Sequence, residues 1–320
     1  MRTNEEITNE AWTKLWREKW FWRILIASIL LDLSMQLIFN IICIVASSCI
    51  GDISTLSQTN LSNSLAMVAR GDMSDLPTIT LHIAITAFMT IIATGITHFG
   101  KSAVLLRAAD GKEEGYLKAA FEGLKMPLGL AYLTLRVALV FILWGFLALL
   151  PFLLAAIVCI LVTPENATLN TLITVLCYTI ASSLFLAILV IPFYRYRFLF
   201  RMKADNPEWS AGKCMRECRS LTQGNKWRIF KHDCSYWKEF LAPVILGSIL
   251  CAYLLYKLRT LHLSPSEGDV SDPKFIIGFL CILALYIAII IFTVIAIFCL
   301  SLGQTILYRE IRSEKTNTKT

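Results

Sequence analysis

Residues 128–162 read LGLAYLTLRVALVFILWGFLALLPFLLAAIVCILV, and Arg136 is the one charged residue in this stretch. About 20 apolar residues are enough for a helix to cross the hydrocarbon core of a bilayer. Pro151 divides the run, but only about a dozen residues separate it from Pro164 and Glu165, which is too short for a second span. The stretch therefore predicts one long transmembrane helix, kinked or tilted at Pro151.

The composition of the whole chain also indicates a membrane protein. Hydrophobic residues make up 56% of the 320 residues and the mean hydropathy is +0.63, whereas soluble domains are about 45–50% apolar. Isolated strands cannot satisfy their backbone groups in lipid, so each apolar run is read as a helix. We predict an all-α, polytopic transmembrane helix bundle that forms a single integral membrane domain over residues 1–320. Its six spans lie at about 22–46, 77–98, 129–162, 171–193, 240–256 and 275–302.

The distribution of basic residues predicts the orientation. With six spans, 25 Lys and Arg residues fall on the side that holds both termini and the loops 99–128 and 194–239, and four fall on the opposite side. Cytoplasmic loops carry the excess of Lys and Arg, so both termini and both loops are predicted to be cytoplasmic. The gathering of Lys and Arg in cytoplasmic loops also explains the net charge of +7. The positive charge therefore does not indicate a nucleic-acid partner.

The first cytoplasmic loop, 99–128, contains a short amphipathic segment. Its apolar residues share one face of a helix, and the charged residues lie elsewhere. Such a helix is predicted to lie along the membrane surface. The apolar positions are Tyr116, Ala119, Ala120, Phe121 and Leu124.

The second cytoplasmic loop, 194–239, predicts an amphipathic basic helix. Asp205 or Asn206 can cap a helix with Pro207 in its first turn, and Gly224 can end it. One face is apolar and the other basic, so the predicted partner is the bilayer itself, through anionic headgroups at its cytoplasmic face; a protein partner is left open. The basic positions are Lys213, Arg216 and Arg219, and Trp227 follows the helix.

Polar side chains recur at every fourth position of the first two spans, and on a helix they share one slowly drifting face. Such faces turn toward protein or water, so they serve either interhelical packing or a path for a polar solute or protons. The positions are Ser28, Asp32, Gln36 and Asn40 in the first span and Thr78, His82, Thr86, Thr90, Thr94 and His98 in the second.

Asp32 and Arg136 are predicted to form a buried ion pair. Counted from the cytoplasmic ends of their spans, they lie at depths of roughly 15 and 12 Å at 1.5 Å per residue. Each charge alone would be costly in lipid. The alternative is that Arg136 extends toward the cytoplasmic headgroups and leaves Asp32 protonated or hydrogen-bonded to Gln36.

Signals for catalysis or metal binding are weak. Cys214, Cys218, His232 and Cys234 are residue types that bind zinc, but their spacing is unusual and buried thiols are the preferred reading. No nucleophile elbow, Walker loop or dinucleotide fingerprint occurs. We therefore predict no catalytic residue, no metal and no cofactor. Asn60 and Asn166 match glycosylation acceptor patterns, which are interpreted as chance.

Two loop segments resemble domain-of-unknown-function family 975, a group of bacterial integral membrane proteins. The first is Leu106–Lys112 together with Phe121–Lys125. The second is Ala204-Asp205-Asn206-Pro207 followed by Ser220, Gly224, Lys226, Trp227 and Phe230. Residues 231–236 are polar where the family usually has an apolar run. The resemblance implies six spans and a bacterial inner-membrane location; it implies no particular activity.

These features lead to a ranked set of hypotheses. The first is a non-enzymatic accessory or interaction module of the bacterial envelope, with its cytoplasmic loops as the binding surface. The alternative is a transporter or lipid-handling protein that uses the polar faces of spans 1 and 2. The third is an enzyme acting at the cytoplasmic headgroup interface.

Cysteine labelling from outside intact cells tests the orientation. Because the external side holds the loops poor in basic residues, Ser57→Cys and Ser266→Cys should react with a membrane-impermeant maleimide. Ser210→Cys and Ser313→Cys should stay unlabelled until the membrane is permeabilised. External labelling at position 210 would contradict the six-span topology and the charge assignment beneath it.

Overall fold

The protein is described by a computed structural model in which residues 2–17, 20–49, 76–112, 115–161, 167–237, five positions between 245 and 252, and 273–317 are placed. Every regular element over these residues is helical, which confirms the all-α class. A 3₁₀ turn, Glu122–Lys125, follows the short helix Tyr116–Phe121. The helices are α1 (Asn4–Arg17), α2 (Trp20–Cys49), α3 (Leu76–Ala109), α4 (Tyr116–Phe121), α5 (Pro127–Leu161), α6 (Ala167–Arg195), α7 (Leu199–Asp205), α8 (Ala211–Thr222), α9 (Lys226–Ser235) and α10 (Pro273–Asn317).

Long apolar helices dominate the described part of the chain. Four stretches of it are long and apolar enough to cross a membrane: Ile83–Ala109, Pro127–Leu161, Leu169–Asp205 and Ile291–Asn317. These helices are compatible with an integral membrane protein. Most of the predicted span at 240–256, and the acceptor residues Asn60 and Asn166, lie outside the residues that can be described; the five described positions of that span are helical.

The apolar run at residues 128–162 forms one helix, as predicted. α5 extends over 35 residues from Pro127 to Leu161 and continues through Pro151. A proline inside a helix removes one backbone hydrogen bond, which the neighbouring turns of a long apolar helix tolerate.

The second predicted span is longer than expected. Residues 99–109, predicted to belong to the first cytoplasmic loop, continue α3 without a break. The helix ends where Gly111 adopts a φ of 71° and the amide of Lys112 donates to the carbonyl of Arg107 at 3.0 Å. This closure is a glycine-dependent C-terminal cap, and it places the start of the loop about three helical turns further along than the hydropathy indicated.

The chain divides into two compact units, Trp20–Gly224 and Met1–Lys19 with Asn225–Thr320. In the first unit α3 is the central helix, since α2, α4, α5 and α7 all pack on it. A Cβ at Gly95 would lie 2.6 Å from Oγ1 of Thr134 on α5, and a Cβ at Gly100 would overlap the carbonyl oxygen of Ala120 on α4. These two glycines let α4 and α5 approach the α3 backbone closely.

The short helix α4 confirms part of the predicted apolar face of the first loop. Tyr116, Ala119 and Ala120 are buried, whereas Leu124 is exposed. The buried face packs against α2 and α3. It therefore serves packing within this unit.

The second unit is built from α1, α9 and α10. Ile7, Ala11 and Leu15 are the buried apolar positions of α1, and they follow a helical spacing. α1 packs on both α9 and α10. Its start is a capping box, in which Thr3 and Glu6 each accept a hydrogen bond from the other's backbone amide, at 3.3 and 2.8 Å.

Polar contacts hold α9 against α10 in the same unit. Arg228 of α9 pairs with Glu310 at 3.1 Å and with Glu314 at 3.2 Å, one turn apart on α10. The Gln304 amide donates to Asp233 at 2.8 Å. Two acidic partners at i and i+4 place both carboxylates on the face that meets α9.

The close approach at Gly100 predicts a loss of stability on adding a methyl group. Gly100→Ala should lower the free energy of unfolding by about 1–3 kcal/mol relative to Gly145→Ala, because the new Cβ meets backbone atoms that cannot rotate away. Gly145 is the matched control, since it lies inside α5 and a Cβ added there would meet no neighbouring atom within 4 Å. Denaturation of both purified variants in detergent measures the difference, and equal stabilities would contradict close packing at Gly100.

Candidate functional site

A polar pocket lies between two apolar helices, α2 and α3. Its volume is about 580 Å³, which is within the range typical of small-ligand sites. Polar and charged groups from both helices line it together with two apolar side chains. The lining residues are Asp32, Met35, Gln36, Thr90, Ala93, Thr94, Thr97, His98 and Lys101.

The pocket unites much of the two predicted polar faces. Asp32, Gln36, Thr90, Thr94 and His98 all line it. They converge because both series repeat every fourth position and the two helices pack side by side.

Other members of the predicted faces lie elsewhere. Asn40 is exposed and Thr86 is half-buried; neither lines the pocket. The carbonyl of Thr86 instead accepts a hydrogen bond from the Thr90 hydroxyl at 2.7 Å. The side chains of Thr78 and His82 lie outside the described part of the chain.

Lys101 contributes the cation of the pocket. Its Nζ lies 2.8 Å from Oδ2 of Asp32. The hydropathy pattern placed Lys101 in the cytoplasmic loop, so the sequence reasoning missed it. The continuation of α3 past His98 brings Lys101 one turn along the same face, where it meets α2. The sequence did contain one indication of this position. Lys101 follows His98 by three residues, a spacing that keeps it on the helix face formed by residues at every fourth position.

The predicted ion pair between Asp32 and Arg136 is therefore wrong. Asp32 pairs with Lys101, and the guanidinium of Arg136 lies over the ring of Tyr132, 4.6 Å from its centroid. A Cβ at Gly212 on α8 would lie 3.1 Å from Arg136. Arg136 thus extends toward α8, in the predicted cytoplasmic loop, as the snorkelling alternative expects. Equal depth in two helices does not place two side chains on facing sides.

His98 lies where the pocket meets α7. Its ring stacks on Phe200, with 5.2 Å between the ring centroids and an interplanar angle of 27°. This contact restricts the imidazole from one side, while Thr94 and Lys101 flank it along α3.

The turn before α8 corrects the predicted cap. Asn206 closes α7, since both its backbone amide and its side-chain amide donate to the carbonyl of Met202, at 3.1 and 3.2 Å. Ser210 is the N-cap of α8, and its hydroxyl accepts from the amide of Lys213 at 3.3 Å. Asp205 is the last residue of α7, and Pro207 lies in the turn that follows. The buried Lys203 ammonium stabilises this turn by donating to the carbonyls of Pro207 and Trp209.

The amphipathic character of α8 is confirmed. Its inner face buries Ala211, Cys214, Cys218 and Leu221. Gly224, with a φ of 88°, follows the end of the helix as predicted. The outer face exposes the predicted basic positions Lys213, Arg216 and Arg219.

The two cysteines of α8 are buried thiols. Cys218 Sγ donates toward the carbonyl of Arg195 at 3.6 Å. Burial raises the pKa of the Cys218 thiol to about 12 and also raises the pKa of Cys214. Burial therefore favours the protonated form of both thiols. Cys234 is exposed, and the described residues contain no cluster of three or more His, Cys, Asp or Glu that could hold a metal ion.

An aromatic and basic surface covers the outer side of α9. Trp227 is 64% exposed and stacks on Phe230, with ring centroids 5.2 Å apart. The ammonium of Lys231 lies 5.4 Å from the centre of the Trp227 ring. Ile229 and His232 face inward and are fully buried. We call Trp227, Phe230 and Lys231 the α9 surface.

Comparison of the chain with protein-family models, with curated proteins and with solved structures found no match.

Double-mutant cycles test the partner of Asp32. The cycle of Asp32→Ala with Lys101→Ala should give a coupling free energy of about 0.2–1 kcal/mol, the range for partly exposed ion pairs, since the two side chains are 46% and 36% exposed. The cycle of Asp32→Ala with Arg136→Ala should be additive. Coupling to Arg136 with none to Lys101, measured by denaturation in detergent, would refute the pairing.

Proposed function

We propose that this chain is a six-span membrane protein that binds a small polar solute or a lipid headgroup in the pocket between α2 and α3, as a transporter or lipid-handling protein. The observation that carries the proposal is the pocket itself. An ion pair, an imidazole, an amide and three threonines surround an open volume on helices that are otherwise apolar.

The cost of such groups in a membrane supports a binding role. Charged residues inside spans are expensive and normally face a polar cavity or a functional partner. Interhelical packing alone would bring the threonines and Gln36 into close contact with the next helix. Instead they border a space large enough for a ligand, which favours the transport or lipid-handling alternative over the accessory module.

The lining favours binding over catalysis. It contains carboxylate, ammonium, imidazole, amide and hydroxyl groups, but no cysteine or serine among its described residues. The Thr90 hydroxyl donates to the carbonyl of Thr86, four residues back on the helix, so its proton is held by the backbone and not by Asp32 or His98. We therefore propose a non-enzymatic role.

The topology and location belong to the same proposal. The distribution of Lys and Arg supports cytoplasmic termini. The resemblance of the D-N-P turn and the flanking loops to family 975 supports a bacterial inner membrane. In this arrangement the pocket, lined by Asp32 about ten residues into the first span, lies nearer the cytoplasmic side.

A second candidate role is attachment of the cytoplasmic side to anionic lipid or to a protein partner. The exposed basic face of α8 and the α9 surface favour it separately, since each combines cationic groups with aromatic or helical faces suited to an interface. Each basic residue contributes about 1 kcal/mol near an anionic surface. This role is compatible with the pocket.

Water access to the pocket tests the proposed function. In a background whose native cysteines are replaced, Thr94→Cys should react with a water-soluble, positively charged methanethiosulfonate after reconstitution into liposomes. The reason is that a ligand-binding pocket communicates with water, whereas a dry packing face does not.

Leu143→Cys is the matched control. Leu143 is 69% exposed on the apolar surface of α5, so lipid should shield a thiol there from the same reagent. Reaction is followed by the mass increase of the intact protein. Failure of Thr94→Cys to react while detergent-unfolded protein reacts fully would contradict the proposed function.

A further inference from the structure

We propose that the ligand of the α2–α3 pocket is a small zwitterion that carries one ammonium and one oxyanion on a short linker. The inference rests on the proposed function and specifies its ligand class. The ammonium would bind Asp32 and the oxyanion, a carboxylate or a phosphate, would bind Lys101.

The charge balance of the pocket selects against ligands with a net charge. Its lining residues supply one carboxylate and one ammonium, in contact at 2.8 Å. A cation that took Asp32 would leave Lys101 without its counter-ion, and an anion that took Lys101 would strand Asp32. Either ligand would give up the attraction of the 2.8 Å contact without replacing it for the partner left behind. A ligand with both charges replaces one ion pair by two.

The ion pair is open to the pocket. The side chains of Asp32 and Lys101 are 46% and 36% exposed, so a ligand can reach each without displacing packed side chains. In the unliganded protein the direct contact keeps the pocket neutral. Lys101 has a long flexible side chain, whereas the shorter Asp32 side chain is held closer to α2. Movement of the Lys101 ammonium therefore opens the gap that the ligand fills.

The remaining lining groups suit the rest of such a molecule. Gln36 and Thr94 each offer both a donor and an acceptor for the oxyanion or the ammonium. Met35 and Ala93 are the apolar positions, and they provide contact for a linker of one or two carbons. The volume of about 580 Å³ accommodates a small solute or one headgroup.

This chemistry has two sources, a free amino acid and the headgroup of phosphatidylethanolamine. Both carry a primary ammonium and an oxyanion a few bonds apart. The two sources differ in their attachment to acyl chains, and reconstitution into lipid separates them on that basis.

The test compares soluble probes against the purified protein in detergent by calorimetric titration. Serine and glycerophosphoethanolamine, which are both net neutral, are the zwitterions, and ethylamine and dimethyl phosphate, a diester with one negative charge, are the singly charged probes. At least one zwitterion should bind tenfold or more tightly than either singly charged probe.

Charge-neutralising variants give the sharper result. Asp32→Asn leaves Lys101 alone, so preference should shift to dimethyl phosphate; Lys101→Gln should shift it to ethylamine. Each should weaken zwitterion binding at least tenfold. Arg136→Gln, which removes a charge that does not line the pocket, is the control and should keep the wild-type preference. Thermal unfolding in the absence of probe verifies that each variant is folded.

Reconstitution identifies the source. In nanodiscs containing phosphatidylethanolamine the lipid should compete with glycerophosphoethanolamine if the headgroup is the ligand, and should not if the ligand is a free amino acid; either result supports a zwitterion site.

Equal or tighter binding of a singly charged probe to the wild-type protein, or no binding of any of the four, would overturn the zwitterion assignment. The proposed function is judged separately, since it fails only if the pocket is closed to the water-soluble thiol reagent.

Discussion

The close approach of helices at α3 is the constraint on which the larger unit depends. At Gly95 and Gly100 the α3 backbone has no side chain, and atoms of α5 and α4 occupy the space. Such close contact adds many small van der Waals attractions between the helices. These contacts place α3 at the centre of the unit. On the side of α3 that faces α2, by contrast, the two helices leave a space lined by polar groups.

The pocket between α2 and α3 forms because two apolar helices carry polar side chains that need polar surroundings. The two helices are apolar over most of their length, yet they carry Asp32, Gln36, His98 and Lys101. Polar groups in lipid require partners of their own kind. The helices satisfy this requirement by turning their polar faces to each other. The contact between Asp32 and Lys101 then pairs the two charges of opposite sign on these faces.

Several details could have been predicted from the sequence and others could not. The Thr3 and Glu6 pair is a capping-box pattern that marks the start of α1, although hydropathy alone does not reveal this helix. The predicted cap of α8 was wrong, because Asp205, Asn206 and Ser210 are all good cap residues in the same segment. Their choice depends on Lys203, whose ammonium binds carbonyls of the intervening turn.

The sequence by itself determined the helical class, the long apolar helices, the continuity of α5 through Pro151 and the faces on which the polar residues of α2 and α3 lie. These properties follow from local hydropathy and helical periodicity, which the backbone requirement in lipid makes decisive. Only the tertiary structure decided that Asp32 meets Lys101 and that Arg136 extends toward α8. Periodicity shows which residues share a face, but the rotation of each helix about its axis is set by packing against its neighbours, and that rotation selects the partner.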